Sequence, residues 1–118
     1  MLNDLITITN TTRNTVLADQ CMVANDPNSK RAGLLSFDSL APGEGLYLTP
    51  PASRVHTHGM RFNIDLVFVN RTGKVTSVRR GVGQGRVEGD NTASAVLELP
   101  VGVIDGSRTV AGDQLSIS

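Results

Sequence analysis

Hydrophobic and polar residues alternate along several short stretches of this chain, which is the pattern of β-strands with one buried face. Leu5–Ile8 shows this alternation first, and the polar run Asn10–Asn14 predicts a turn. Thr15–Ala18 and Cys21–Val23 predict two further short extended segments. The first part of the chain is therefore predicted to be β-structure.

A β-hairpin is predicted in the middle of the chain. Its first strand alternates two sets of side chains, with Phe62, Ile64, Leu66 and Phe68 on one face and Asn63, Asp65, Val67 and Val69 on the other. Asn70–Gly73 is a short loop whose glycine tolerates positive φ, and Val75–Val78 returns.

Two short helical segments interrupt the strands. Asp26 is a suitable N-cap and Pro27 a suitable first helical residue, so a helix is predicted through Ala32, ending near Gly33. Pro100–Gly106 predicts a second helical turn.

Further strands are predicted at Leu46–Leu48, Ala95–Leu99 and within Gly112–Ile117. Pro50 and Pro51 end the first of these, because proline cannot donate to a ladder. The predicted fold is mainly β, a small antiparallel β-barrel or two-layer sandwich with one or two short helices.

The length of the chain supports one domain over 1–118. Its core is expected to consist of Val, Leu and Ile, since aromatic residues are only 3% and there is no Trp. Eleven basic and eleven acidic residues balance, which argues against a general nucleic-acid or membrane-surface binder. Neither a signal peptide nor a membrane span is visible, and Cys21 is the only cysteine, so a cytoplasmic protein is expected.

Four blocks of this sequence resemble the DUF192 family, small bacterial and archaeal proteins named only as a domain of unknown function. The blocks are Arg31–Leu35, Leu40–Leu46, Val55–Val69 and Ala95–Gly102. The third block is long and specific. The resemblance implies a small β-rich fold and no known activity, and many similar proteins look exported.

This chain departs from the family pattern at three places. Asn63 stands where many members have Pro, and His58 stands where many have an aromatic residue. Gly81–Gly85 replaces a segment that often contains proline and aromatic residues.

His56 and His58 are two residues apart, so on a strand both rings point the same way and could reach one metal ion. Asp65, Glu98 or Cys21 could supply a third ligand. The alternative is that one histidine donates to a backbone carbonyl at a sheet edge while the other is exposed.

Asp65 lies within an apolar strand, where a carboxylate needs a partner. Arg61, Arg54 and Arg31 are candidate partners, and the N–H groups of a nearby turn are an alternative. A structural role is favoured. The functional alternative is that Asp65, His56 and Arg61 converge at one pocket mouth and bind a polar ligand.

Three other features are better explained by structure. Met60 is favoured as a packing residue over a copper ligand, and Cys21 as a small buried hydrophobe over a nucleophile. The run Arg79–Arg86 has neither dinucleotide nor P-loop spacing, so a surface loop with solvated arginines is favoured over an anion or RNA contact.

These residues support three hypotheses: a non-catalytic binding domain for a small polar ligand, a metal-assisted hydrolase that uses His56, His58 and Asp65, or a protein-interaction domain that pairs through a sheet edge. The first is favoured, because no full catalytic set is present. No cofactor, ligand identity or oligomeric state follows from the residues. The candidate ligand-binding residues are His56, His58, Met60, Arg61, Asp65, Arg31 and Glu98.

Overall fold

A computed structural model describes residues 5–118 and confirms a mainly β fold with two short helices. Neither helix in this range is long and apolar enough to cross a membrane. The elements are β1 (Leu5–Asn10), β2 (Thr15–Ala24), α1 (Pro27–Ala32), β3 (Glu44–Leu48), β4 (Arg54–His56), β5 (Ile64–Val69), β6 (Val75–Val82), β7 (Val87–Gly89), β8 (Ala95–Pro100), α2 (Val103–Ser107) and β9 (Leu115–Ile117).

Seven of these strands form one sheet in the order β6-β5-β8-β3-β2-β1-β9, and β4 pairs with β7 separately. The sheet is not closed into a barrel, although a single bridge joins Lys74 to Gln114 beside its two edge strands. The β2–β3 pair is parallel, unlike the expected antiparallel sheet. The connection between them contains α1 and carries the chain back to the same end of the sheet, as parallel pairing requires.

The central strands β5 and β8 are buried on both faces. In β5, Ile64, Leu66 and Phe68 enter one apolar cluster, while Val67 and Val69 enter another on the opposite face. This confirms the predicted alternation of the hairpin strand. Any polar side chain on these strands is therefore removed from water, whichever face it takes.

Two predictions about local structure were wrong. β2 is one continuous strand, not two pieces, and its pairing with β1 shifts register on both sides of Ile8. Such irregularities break a strict alternation of polar and apolar residues, so the strand looks interrupted in the sequence. Arg79 and Arg80 belong to β6, and they form ion pairs with Glu88 and Asp105 rather than extending from a loop.

Asp65 joins three parts of the chain through its carboxylate. Its side chain accepts hydrogen bonds from the N–H groups of Gly81 at 2.9 Å, Gly102 at 3.1 Å and Ile104 at 3.1 Å. The residue is almost fully buried. The favoured structural role is found, with backbone N–H groups rather than Arg61, Arg54 or Arg31 as the partners. Asp65 thereby fixes α2 and the end of β6 to β5.

Replacing Asp65 with Ala is expected to lower the free energy of unfolding by roughly 3–5 kcal/mol, because three N–H groups lose their acceptor in a shielded site. Urea denaturation of both proteins measures this difference. Asp38→Ala is the control, since Asp38 is exposed and should change stability little. A variant at position 65 that is as stable as the control would contradict the structural role.

Candidate functional site

A cavity of about 580 Å³ lies between the first core cluster, α1 with the turn after it, and the segment 51–56. Its volume falls within the roughly 300–1,000 Å³ that is usual for small-molecule sites. The apolar part of its lining is aliphatic and comprises Leu34, Leu35, Leu48, Val55, Met60 and Ile64, together with Pro51 and two alanines, Ala32 and Ala52.

Glu98 supplies a carboxyl group to this apolar cavity. It is on the central strand β8, directly opposite Leu46 of β3 and Leu66 of β5, and only 4% of its surface is exposed. Within residues 5–118, the Glu98 side chain makes no hydrogen bond, whereas every fully enclosed side-chain oxygen or nitrogen there has a partner. The Glu98 oxygens therefore retain access to the cavity space. Burial raises the pKa of this carboxyl to about 7, because the charged form is poorly solvated.

Basic side chains line the same cavity from two directions. Lys30 and Arg31 come from the last turn of α1, and Arg54 and His56 come from β4, where they are two residues apart and on one side of the strand. No acidic residue in the described part of the chain forms an ion pair with Lys30, Arg31 or Arg54. These three cations are thus available to an anion in the cavity.

The position of Lys30 and Arg31 follows from the way α1 begins and ends. Asp26 accepts from the Ser29 N–H at 2.8 Å in a capping box, and Pro27 starts the helix. Gly33 has a positive φ of 50° and ends it, as the sequence predicts. The helix is therefore held at both ends, and its basic residues are fixed at the cavity.

His56 and His58 lie close together, but no third ligand from the described residues joins them. Their ring centroids are 5.6 Å apart, and both rings line a shallow exposed pocket beside Val87. Among residues 5–118, no group of three or more His, Cys, Asp or Glu side chains could hold a metal ion. Thr57 between them is buried, and its Oγ1 donates to the Gly83 carbonyl at 2.6 Å, which fixes this turn to the segment after β6.

The structure brings together only part of the predicted site. Four of the seven candidates line the cavity: Arg31, His56, Met60 and Glu98. His58 lies in the shallow pocket outside it, and Arg61 forms an exposed ion pair with Asp38 at 2.6 Å. The predicted convergence of Asp65, His56 and Arg61 is not found, because the Asp65 carboxylate faces α2.

Lys30, Arg54 as a cavity residue and the aliphatic lining were not predicted from the sequence. These positions come from segments far apart in the chain, and no local pattern connects them. Glu98 did have a sequence signal, since it is a charged residue inside an apolar strand, as Asp65 is. Cys21 is fully buried, and burial raises the pKa of its thiol to about 12, which agrees with the expected packing role.

These features define a mainly β protein with one amphipathic cavity beside its central strands. The chain belongs to the DUF192 family, whose model, described as "Uncharacterized ACR", matches residues 7–117. This confirms the resemblance inferred from the four sequence blocks. No curated protein matches the sequence.

Two solved structures show the same fold. A protein from Sinorhizobium meliloti 1021, provisionally described as a transcription regulator, has a TM-score of 0.82 at 17% identity, covering 95% of this chain and 91% of its own. A protein of unknown function from Novosphingobium aromaticivorans DSM 12444 has a TM-score of 0.81 at 19% identity, covering 94% of this chain and 82% of its own. At these identities the similarity concerns the fold alone.

The raised pKa of Glu98 predicts how stability depends on pH. The native state holds this proton more tightly than the unfolded chain, so the stability that Glu98 contributes is complete below pH 4.5 and is lost as pH rises through about 7. That rise in pKa corresponds to about 3 kcal/mol. Relative to Glu98→Gln, the wild-type protein should lose about this much between pH 4.5 and pH 8, measured by urea denaturation.

The comparison between these two proteins cancels every other titrating group that they share. His56 lines the same cavity, so the same pair is also compared in a His56→Ala background. A difference between wild type and Glu98→Gln that stays constant with pH would show that Glu98 titrates normally.

Proposed function

We propose that this protein is a non-catalytic binding protein for a small polar ligand, which occupies the cavity beside Glu98. The observation that carries the proposal is the Glu98 carboxyl, which is buried, has no hydrogen-bond partner within residues 5–118 and opens into the cavity. Arg31, His56 and Met60 line the same space, and they belong to the binding set that the sequence predicts.

The ionised Glu98 carboxylate lowers stability in the free protein, because burial disfavours the charged form. A buried carboxyl that lacks partners costs free energy compared with an apolar residue of similar size. Asp65, on the neighbouring strand, is also buried, but three backbone N–H groups donate hydrogen bonds to its carboxylate. Glu98 has no such compensation from the described residues, and a ligand in the cavity would supply it. Binding sites commonly retain such locally unfavourable groups.

The metal-assisted hydrolase receives less support from the geometry. It requires His56, His58 and Asp65 around one ion, and the two oxygens of Asp65 are already occupied by three N–H groups. The sheet-edge interaction hypothesis has no observation that favours it over the cavity. Both alternatives remain outcomes of the experiment below.

A thermal-shift screen of metal-free protein tests the proposal with organic acids, amino acids, sugars, nucleotides, Zn²⁺ and Cu²⁺. A compound that binds only the folded state raises Tm in proportion to its affinity. We expect at least one small organic compound to raise Tm. Ala32→Trp should abolish that rise, because Ala32 is exposed and lines the cavity, so a large ring there takes up space that the ligand needs.

Ala111→Trp is the matched control, since Ala111 is also exposed and does not line this cavity. It should keep the full rise in Tm. A rise with Zn²⁺ or Cu²⁺ alone that is lost in His56→Ala would replace the proposal by the metal hypothesis. No rise with any compound, together with a mass in solution that depends on concentration, would favour the protein-interaction hypothesis instead.

A further inference from the structure

We infer that the ligand is an organic anion that also carries a hydrogen-bond donor, with the anionic group at Lys30, Arg31 and Arg54 and the donor at Glu98. The inference rests on the proposed function and specifies the chemistry of its ligand. A hydroxylated or amino-substituted carboxylate or phosphate has this combination of groups.

The anionic end follows from the charge of the cavity lining. Lys30, Arg31 and Arg54 carry three positive charges, and Glu98 is the only acidic residue among the residues that line this space. An arginine guanidinium matches the two oxygens of a carboxylate or phosphate. Among these three side chains, only Lys30 makes a hydrogen bond within residues 5–118. Its Nζ donates to the Pro51 carbonyl at 3.4 Å.

The donor end follows from the surroundings of Glu98. The residues directly opposite it, Leu46 and Leu66, have aliphatic side chains and cannot donate to its carboxylate. Once ionised, the carboxylate is an acceptor with no donor from the described chain, so a ligand O–H or N–H group satisfies it. A ligand that offers only acceptors would leave the charged form uncompensated.

The part of the ligand between its two polar ends is predicted to be aliphatic and small. Leu34, Leu48, Met60 and Ile64 line the cavity, and no Phe, Tyr or Trp does. Stacking on Phe, Tyr or Trp rings is how many proteins hold planar bases, and this lining has none of these side chains. The cavity therefore favours a hydroxy or amino acid with a short alkyl body over a nucleotide.

Three probes with the same six-carbon chain test each part of the inference: 6-hydroxyhexanoate, hexanoate and hexane-1,6-diol. Their dissociation constants are measured at pH 8, where Glu98 is mostly ionised, from the amide shifts of ¹⁵N-labelled protein. We expect 6-hydroxyhexanoate to bind about tenfold more tightly than either of the others, because each lacks one of two charge-assisted contacts. The shifted amides should be those of the cavity lining.

Two variants separate the contributions of the two ends. Arg31→Ala with Arg54→Ala should reduce the preference for the hydroxy acid over the diol, because Lys30 is then the only one of the three cations left at the cavity. Glu98→Met should remove the preference for the hydroxy acid over hexanoate, and it replaces the carboxyl with an apolar side chain of similar size. Glu98→Gln should retain part of that preference, because its amide oxygen still accepts a hydrogen bond.

The outcomes distinguish a failure of this inference from a failure of the proposed function. If the diol binds in the cavity as tightly as the hydroxy acid, or hexanoate does, the ligand class is wrong while the cavity remains a binding site. If no probe shifts the cavity amides and Ala32→Trp behaves as wild type in the Tm screen, both the inference and the proposed function are overturned.

Discussion

The burial of both faces of the central strands is the constraint on which the rest of the structure depends. β5 and β8 lie side by side as the second and third of the seven strands, and an apolar cluster covers each face. A polar side chain on either strand must therefore find a partner or remain desolvated. Asp65 and Glu98 are the two acidic residues on these strands, and they differ in whether the protein supplies hydrogen-bond donors to the buried carboxyl group.

Asp65 is compensated entirely by the protein. Its three N–H donors come from the end of β6 and from the start of α2, so one carboxylate holds elements that are 16 to 39 residues away in the sequence. Glu98 faces the other cluster, where its nearest cross-strand neighbours are leucines and an open cavity adjoins it. One carboxylate therefore stabilises the fold, while the other is available to a ligand.

The charge of the whole chain and the charge of the site give different information. Basic and acidic residues balance over 118 residues, which argues against a general polyanion surface. Around the cavity the charges do not balance, since three cations come from α1 and β4 and one buried carboxyl comes from β8. A lining that combines cations, one carboxyl and aliphatic side chains suits a ligand that has two different polar ends.

Short-range chemistry in the sequence determined the local elements and the family. The cap at Asp26, the stop at Gly33 and the alternation over 62–69 depend on neighbouring residues, so they could be predicted from the sequence. The same applies to the two charged residues within apolar strands, Asp65 and Glu98. Such positions indicate that a compensating group is needed, but they do not identify it.

Only the tertiary structure decided which groups meet. The N–H donors of Asp65 are far away along the chain, and backbone groups leave no mark in the sequence, so arginines and the N–H groups of a turn stayed open as alternative partners. The candidate site changed for the same reason. His56, Arg31 and Glu98 come together through the crossover from β2 to β3 and the placement of β4. Arg61 lies outside the cavity, although it is only five positions after His56 in the sequence. Sequence spacing sets which face of a strand a side chain takes, and chain topology sets what lies opposite it.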